Sequence, residues 1–286
     1  LHEDDPWVFP SKEKVPTGAL PLGVVLTLAA SGSEMSASCV VTNEEGMLKR
    51  GYNSDYHRPL FAVCNPELTY TLPPFQTGCE IVDILMHTLE RYFSDGSDTP
   101  LTDRLAEGLM KSVIEAGAAA IADPRNYEAR STLMWAGSLS HNDLTGCGRN
   151  LFFPVHQMEH EVSGMYPEVA HGAGLAVLFP AWMKYVCRRD LERFVRFAVE
   201  VMGCAMDWEH PERTAREGIA RLEAYFQAIG MPVTMEELGI ADESKFDEMA
   251  EKCTFFGKRT LTAKVELKKE DIVAVYRLAR AGRLSR

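Results

Sequence analysis

The sequence predicts an α+β chain in two parts, a strand-and-turn segment over residues 1–73 and an all-helical segment over 74–286. Two observations carry this. Before residue 74, apolar and β-branched runs alternate with Gly, Ser, Asn and Pro; after it, apolar residues recur at helical spacing with almost no strand signal. The boundary is Thr71-Leu72-Pro73-Pro74, because Pro opens a helix but does not continue one. A sheet fragment of two or three strands makes a poor stand-alone domain, so the first part reads as the tail of a larger sheet.

Leu22 to Leu28 reads as a buried strand, Ser38 to Thr42 as a second and Leu60 to Cys64 as a third. Phe75 to Phe93 then carries Ile81, Leu85, Leu89 and Tyr92 on one helical face. Thr102-Asp103 reads as the cap of a run to Ala122. Further helices are expected over 127–139, 153–164, 173–187, 191–202, 211–229, 243–253 and 270–279, with a turn at Glu236-Glu237-Leu238.

The chain has 286 residues, 46% hydrophobic and 25% charged, as globular proteins have. A net charge of −11 with no basic stripe argues against a nucleic-acid partner. Lys12-Glu13-Lys14 and Arg188-Arg189 read as solvated surface. No apolar run reaches the ~18–20 residues of a membrane span, and the acidic start is unlike a secretory signal. Seven scattered cysteines without a C-x-x-C fit reduced thiols in the cytoplasm. The first residue is Leu1, which is expected of a fragment.

Four of the eight histidines fall in two short stretches. Asp83 and His87 are four apart, one turn apart on one helix face, and His156 and His160 repeat the spacing; His171-Gly172 closes the second stretch. An Asp with three His is a complete ligand set for Fe²⁺ or Zn²⁺. Taken singly, each pair also fits a helix acid and a core histidine. Together the five exceed one shell by one, which leaves one as a supporting group or proton carrier. His171, before a Gly, is expected on a loop or helix start.

These stretches resemble the iron-containing (group III) alcohol dehydrogenases. Ser31-Gly32-Ser33-Glu34 is similar to that family's T-G-S-E segment, and Thr71-Leu72-Pro73-Pro74 with Gln76 to the segment before its metal helix. Asn126-Tyr127-Glu128-Ala129-Arg130, with Leu133 to Ala136, resembles the butanol dehydrogenase and aldehyde reductase branch. The likeness runs over roughly residues 6–280.

The resemblance implies a two-domain NAD(P)-dependent oxidoreductase. Residues 1–73 would be the remnant of a Rossmann-like nucleotide-binding domain, and 74–286 the helical, metal-binding catalytic domain. It implies metal ligands Asp83, His87, His156 and His171, with His160 carrying the proton. It places Thr27, Ser31, Ser38, Lys49, Leu68 and Thr71 at the cofactor. Lys49 also fits a solvated turn lysine, and the hydroxyls fit strand-end capping. The implied reaction moves hydride between NAD(P)H and a short- or medium-chain aldehyde such as butanal, in a homodimer. Glycerol dehydrogenase-like and sugar-phosphate cyclase-like enzymes share the layout, and a non-catalytic metal-binding fragment is the reading from another class. Three departures stand out. No Gly-rich pyrophosphate loop precedes Pro21, so an N-terminally truncated member with a weakened cofactor cradle is expected. His156 and His171 are fifteen apart, which places a small insertion in 163–170. Glu80 stands where the family usually has Gly before the metal helix, either near the site or facing solvent.

Overall fold

The structure is a computed structural model, and it describes residues 3–96, 99–263 and 265–281. Its frame is helical: α1 (Pro74–Tyr92), α2 (Pro100–Ala122), α3 (Tyr127–Ser140), α4 (Pro154–Met165), α5 (His171–Val186), α6 (Leu191–Glu200), α7 (Pro211–Ala228), α8 (Phe246–Cys253) and α9 (Lys269–Ala281). The helix α1 is central. It is buried continuously from Thr77 to Tyr92, and it packs against α2, α3 and α5. A helix buried all round should be apolar all round. This one instead buries Glu80, Asp83, His87, Glu90 and Arg91, and buried polar groups need partners. Those five residues mark where the chemistry lies.

The strands form separate two-stranded pairs. β1 (Gly23–Val25) runs parallel to β4 (Phe61–Val63), with Val24 opposite Ala62. β2 (Ser38–Asn43) and β3 (Leu48–Asn53) form an antiparallel hairpin whose turn has Gly46 and Met47 at positive φ. β5 (Leu261–Ala263) and β6 (Val265–Leu267) form a short hairpin before α9. The main core lies after Pro74; Leu26, Ala29 and Met134 make a small second cluster between the first segment and α3.

Several details differ from the sequence reading. The strands near residues 24 and 62 exist, but they are not buried: Val25 is 60% exposed and Phe61 65%. Apolar runs signal a covered face, and here no described residue covers Val25 or Phe61 fully. The polar strand β3 has no apolar run to reveal it, and β5 and β6 are three residues each. The helix α2 starts at Pro100, with Thr99 at its N-cap and Thr102 and Asp103 buried in its first turn. Asp103 there serves the buried Arg149 and the half-buried Arg193 instead of the helix end.

Candidate metal centre

Two helix starts, of α4 and α5, and the interior of α1 converge. On α1, the spacing of Asp83, His87 and Glu90 stacks them along one face. The His87 ring is fixed from its own helix, where Nδ1–H donates to the Asp83 main-chain carbonyl at 2.9 Å. That leaves the Nε2 lone pair free to bind a metal.

The Glu90 carboxylate is spent on the start of α4. Its oxygens accept the N–H groups of Val155 at 2.6 Å and His156 at 3.2 Å, and they also accept a hydrogen bond from His156 Nδ1–H. Pro154 opens the same helix without needing an N–H partner. One carboxylate thus caps the helix, favours its dipole and sets the His156 tautomer. His156 Nε2 then points at Asp83 Oδ1, 3.6 Å away.

His171 is the first residue of α5, and its Nδ1 is held by Glu159, a fully buried acid of α4. Gly172 explains the His-Gly pair. A Cβ there would stand 2.3 Å from the Cys79 carbonyl oxygen, so only Gly lets α5 press on the α1 backbone. His171 Nε2 lies 3.8 Å from Asp83 Oδ1. The chain between His156 and His171 finishes α4 at Met165 and turns through 166–170 to α5.

One carboxylate oxygen therefore faces three imidazoles, with His87 Nδ1 at 3.4 Å. Ligand atoms of Asp83, His87 and His156 lie within 4.8 Å of one another. Ligands about 2.1 Å from one ion stand roughly 3–3.5 Å apart. Asp83 Oδ1 and His156 Nε2 are buried and have no hydrogen-bond partner among the described residues. Burial opposes the Asp83 charge, but His87, His156 and His171 outweigh it and hold the carboxyl well below its usual range. Burial likewise opposes a charged His156, but Glu90 and Asp83 lift it to about 9. Burial keeps His87 neutral, well below its ordinary value. The site is rich in negative charge with a neutral imidazole beside it, which suits a divalent cation.

His160 stands apart from this centre. Its ring is 5.6 Å from that of His171, and it groups with Glu159 and His171 instead of Asp83. Burial, with His171 and Lys49 nearby, keeps it neutral. Lys49 is not a solvated turn residue: it lies on β3, donates to Ser163 Oγ at 2.9 Å and stands 4.0 Å from Glu159. A cavity of about 720 Å³ opens beside the centre, and Ser31, Ser38, Lys49, Asp83, His87 and His160 are on its wall. Thr27, Leu68 and Thr71 are exposed outside it. Glu80 is neither before the helix nor in solvent. It sits inside α1, 3.7 Å from Arg130, where burial raises its carboxyl to about 8 despite that arginine.

The sequence reading missed Glu90 and Glu159. Their signal was spacing: Glu90 is three residues after His87, and Glu159 three after His156. It also missed His141, whose ring is 4.0 Å from that of His87. Arg91 donates to His141 Nδ1 at 2.9 Å, so the proton sits on Nε2, 3.2 Å from Ser38 Oγ. This chain of contacts ties the α1 helix to β2.

An Asp and His cluster at the meeting of α1, α4 and α5, beside a cleft lined by a strand hairpin, is a candidate metal site, and comparison with known proteins gives the class. The family model for the C-terminal part of the Fe-containing alcohol dehydrogenases matches residues 77–280. The probable NADH-dependent butanol dehydrogenase 1 of Bacillus subtilis is 36% identical over 274 residues, 96% of this chain and 70% of that protein. The NADPH-dependent aldehyde reductase YqhD of Escherichia coli is 34% identical over 84% of this chain and 62% of its own length. Among solved structures, the NADH-dependent butanol dehydrogenase A of Thermotoga maritima superposes with a TM-score of 0.92 at 33% identity, over 98% of this chain and 71% of that one. The chain belongs to the Fe-containing alcohol dehydrogenase family. It is an oxidoreductase of the alcohol dehydrogenase class.

Proposed function

We propose that this chain reduces short- and medium-chain aldehydes, butanal among them, with NAD(P)H at a divalent metal, iron or zinc, held by Asp83, His87, His156 and His171. The observation that carries the reading is the unpartnered Asp83 Oδ1 facing three imidazoles at 3.4, 3.6 and 3.8 Å. When bound, the metal polarises a carbonyl oxygen and stabilises alkoxide charge, and the nicotinamide supplies hydride.

The protein's own part is orientation and proton handling. Glu90 and Glu159 fix the rings of His156 and His171, so each presents Nε2 to the centre. Ser31, Ser38 and Lys49 hold the cofactor from the cavity wall; Thr27, Leu68 and Thr71 meet it outside. His160, neutral and beside Lys49, returns the proton to the alcohol oxygen. Residues 1–73 belong to the nucleotide-binding domain and 74–286 to the catalytic domain, in a cytoplasmic homodimer. Seven unpaired cysteines support a reducing compartment. Among the described residues no helix is long and apolar enough to cross a membrane.

The test is NADH and NADPH oxidation with butanal after metal loading, for this chain alone and with a Gly-rich nucleotide-binding segment supplied. Turnover with butanal that rises at least tenfold with the segment is expected, since two or three charge-assisted bonds to the pyrophosphate are worth about a thousandfold in binding. Turnover of glycerol or a sugar phosphate, with none for any aldehyde from two to eight carbons, would overturn the reading.

A further inference from the structure

Glu80 is a buried acid that the hydride-transfer chemistry leaves unused. It is 2% exposed on α1, and a buried carboxylate has to be held by what it meets. Burial opposes its charge; two groups favour it, the guanidinium of Arg130 on α3 and a main-chain hydrogen bond from Ala29 in the first segment. Arg130 is largely committed elsewhere. Its Nε donates to the Pro124 carbonyl and its Nη1 to Thr77 Oγ1, both at 3.0 Å. Its distance of 3.7 Å from Glu80 Oε2 is that of an ion pair, too long for a hydrogen bond. The hydrogen bond that the Glu80 carboxylate accepts therefore comes from the Ala29 N–H, across the seam between the two parts of the chain.

Ala29 stands at the head of the turn 29–36, which brings Ser31, Ser33 and Ser36 to the cavity wall. The turn lies on α3. Gly32, at φ +57°, carries it so close that a Cβ there would stand 2.7 Å from the Gly137 carbonyl oxygen. The N–H groups of Met35 and Ser36 both return to the Gly32 carbonyl, at 2.9 and 2.8 Å. Glu34, 6% exposed, accepts the Ser138 hydroxyl. One carboxylate thus pins the far part of the turn to α3, and Glu80 pins its head to α1. Leu26 and Ala29 also pack with Met134 of α3, but apolar contact is non-directional. A hydrogen bond to a carboxylate is directional, and in a segment outside helix and sheet such bonds set the position of the main chain.

We infer that Glu80 is a positioning residue for the cofactor side of the reaction: it fixes Ala29, and through the 29–36 turn it sets where the Ser31 hydroxyl stands in the cavity. The inference rests on the reading of Ser31 as a cofactor contact and adds to it a residue from outside the cavity. Glu80 stands where the resembling family usually has Gly. A Gly has no acceptor to offer Ala29, so the bond is a feature of this chain and not of the shared fold.

Amide hydrogen exchange of the metal-loaded chain, read by mass spectrometry over residues 29–36, tests this together with NADH titration by nicotinamide fluorescence. Glu80→Met keeps the volume and removes the acceptor; Glu80→Gln keeps an acceptor. In Glu80→Met, exchange over 29–36 should rise by about 10- to 150-fold, the value of one hydrogen bond to a charged group, while exchange over 82–92 of α1 and the metal content stay as in the unaltered chain. NADH should bind about threefold more weakly or worse, as part of that loss reaches Ser31. Glu80→Gln should restore most of both. Unchanged exchange over 29–36 in Glu80→Met overturns the proposal. So does a Glu80→Gln that matches Glu80→Met, which would assign the effect to charge beside Arg130, and so does a rise spread evenly over 29–36 and 82–92, which would make Glu80 a packing residue. Should Glu80→Met not fold, Glu80→Gln decides alone: exchange and NADH affinity close to those of the unaltered chain are required, and a loss of either overturns the proposal. Faster exchange over 29–36 in Glu80→Met with NADH affinity unchanged, or an unaltered chain that binds no NADH, would overturn the Ser31 reading instead and leave Glu80 as the anchor of the turn alone.

Discussion

Glu90→Ala should weaken metal binding by about 10- to 100-fold, the usual cost of removing a partner that orients a metal-binding histidine. The reason is that one carboxylate serves three donors. Its loss frees the N–H groups of Val155 and His156 at the start of α4 and releases His156 Nδ1, all in a buried place. Breaking such a buried charged cluster from one side costs about 3–5 kcal/mol. Glu90→Gln keeps an acceptor for the helix start and should fall between the two. Competition with a chelator reads the affinity, and a urea midpoint reads the stability. An Ala variant with unaltered metal affinity would show that His156 does not depend on Glu90.

Gly172→Ala should cost about 3 kcal/mol, the upper end of overpacking. The added Cβ would meet main-chain atoms of Cys79 at 2.3 to 2.8 Å, and main chain cannot step aside as a flexible side chain can. The first turn of α5 must then lift from α1 and carry His171 away from Asp83. A fall in melting temperature of roughly 6–10 °C is expected for a domain of this size, with metal retention reduced in parallel. Gly230→Ala is the comparison: its φ is +80° but nothing lies near its Cβ, so it should lower the melting temperature without lowering metal retention.

The helices and the ligand-type residues were legible for one reason: a 3.6-residue period leaves a trace in local sequence. Asp83 and His87, or His156 and His160, are neighbours on a helix because of that period, and His171-Gly172 is marked by its Gly. What lay outside local spacing was not legible. Glu90 and Glu159 look like ordinary helix-surface acids until the fold buries them against histidines of other turns. His141 meets His87 only because α3 ends beside α1. The strands near Val24 and Ala62 were recognised from apolar composition, which signals a covering partner; the composition was read correctly, and the burial was not, because burial belongs to the neighbour. β3 was missed because Lys49 and Arg50, facing α4, and Asn53, facing Ser38 of β2, give it polar chemistry.

The central claim is that Asp83, His87, His156 and His171 hold one divalent metal. Elemental analysis of protein purified without chelator, alongside His87→Ala and His171→Ala, tests it most directly. The account predicts about one iron or zinc per chain, and loss of nearly all of it in both variants, since a site left with three of its four ligands loses most of its affinity. Both variants should stay helical by circular dichroism, because α1 and α5 are packed along most of their length by apolar contacts. Metal content equal to that of the unaltered chain in both folded variants would contradict the account.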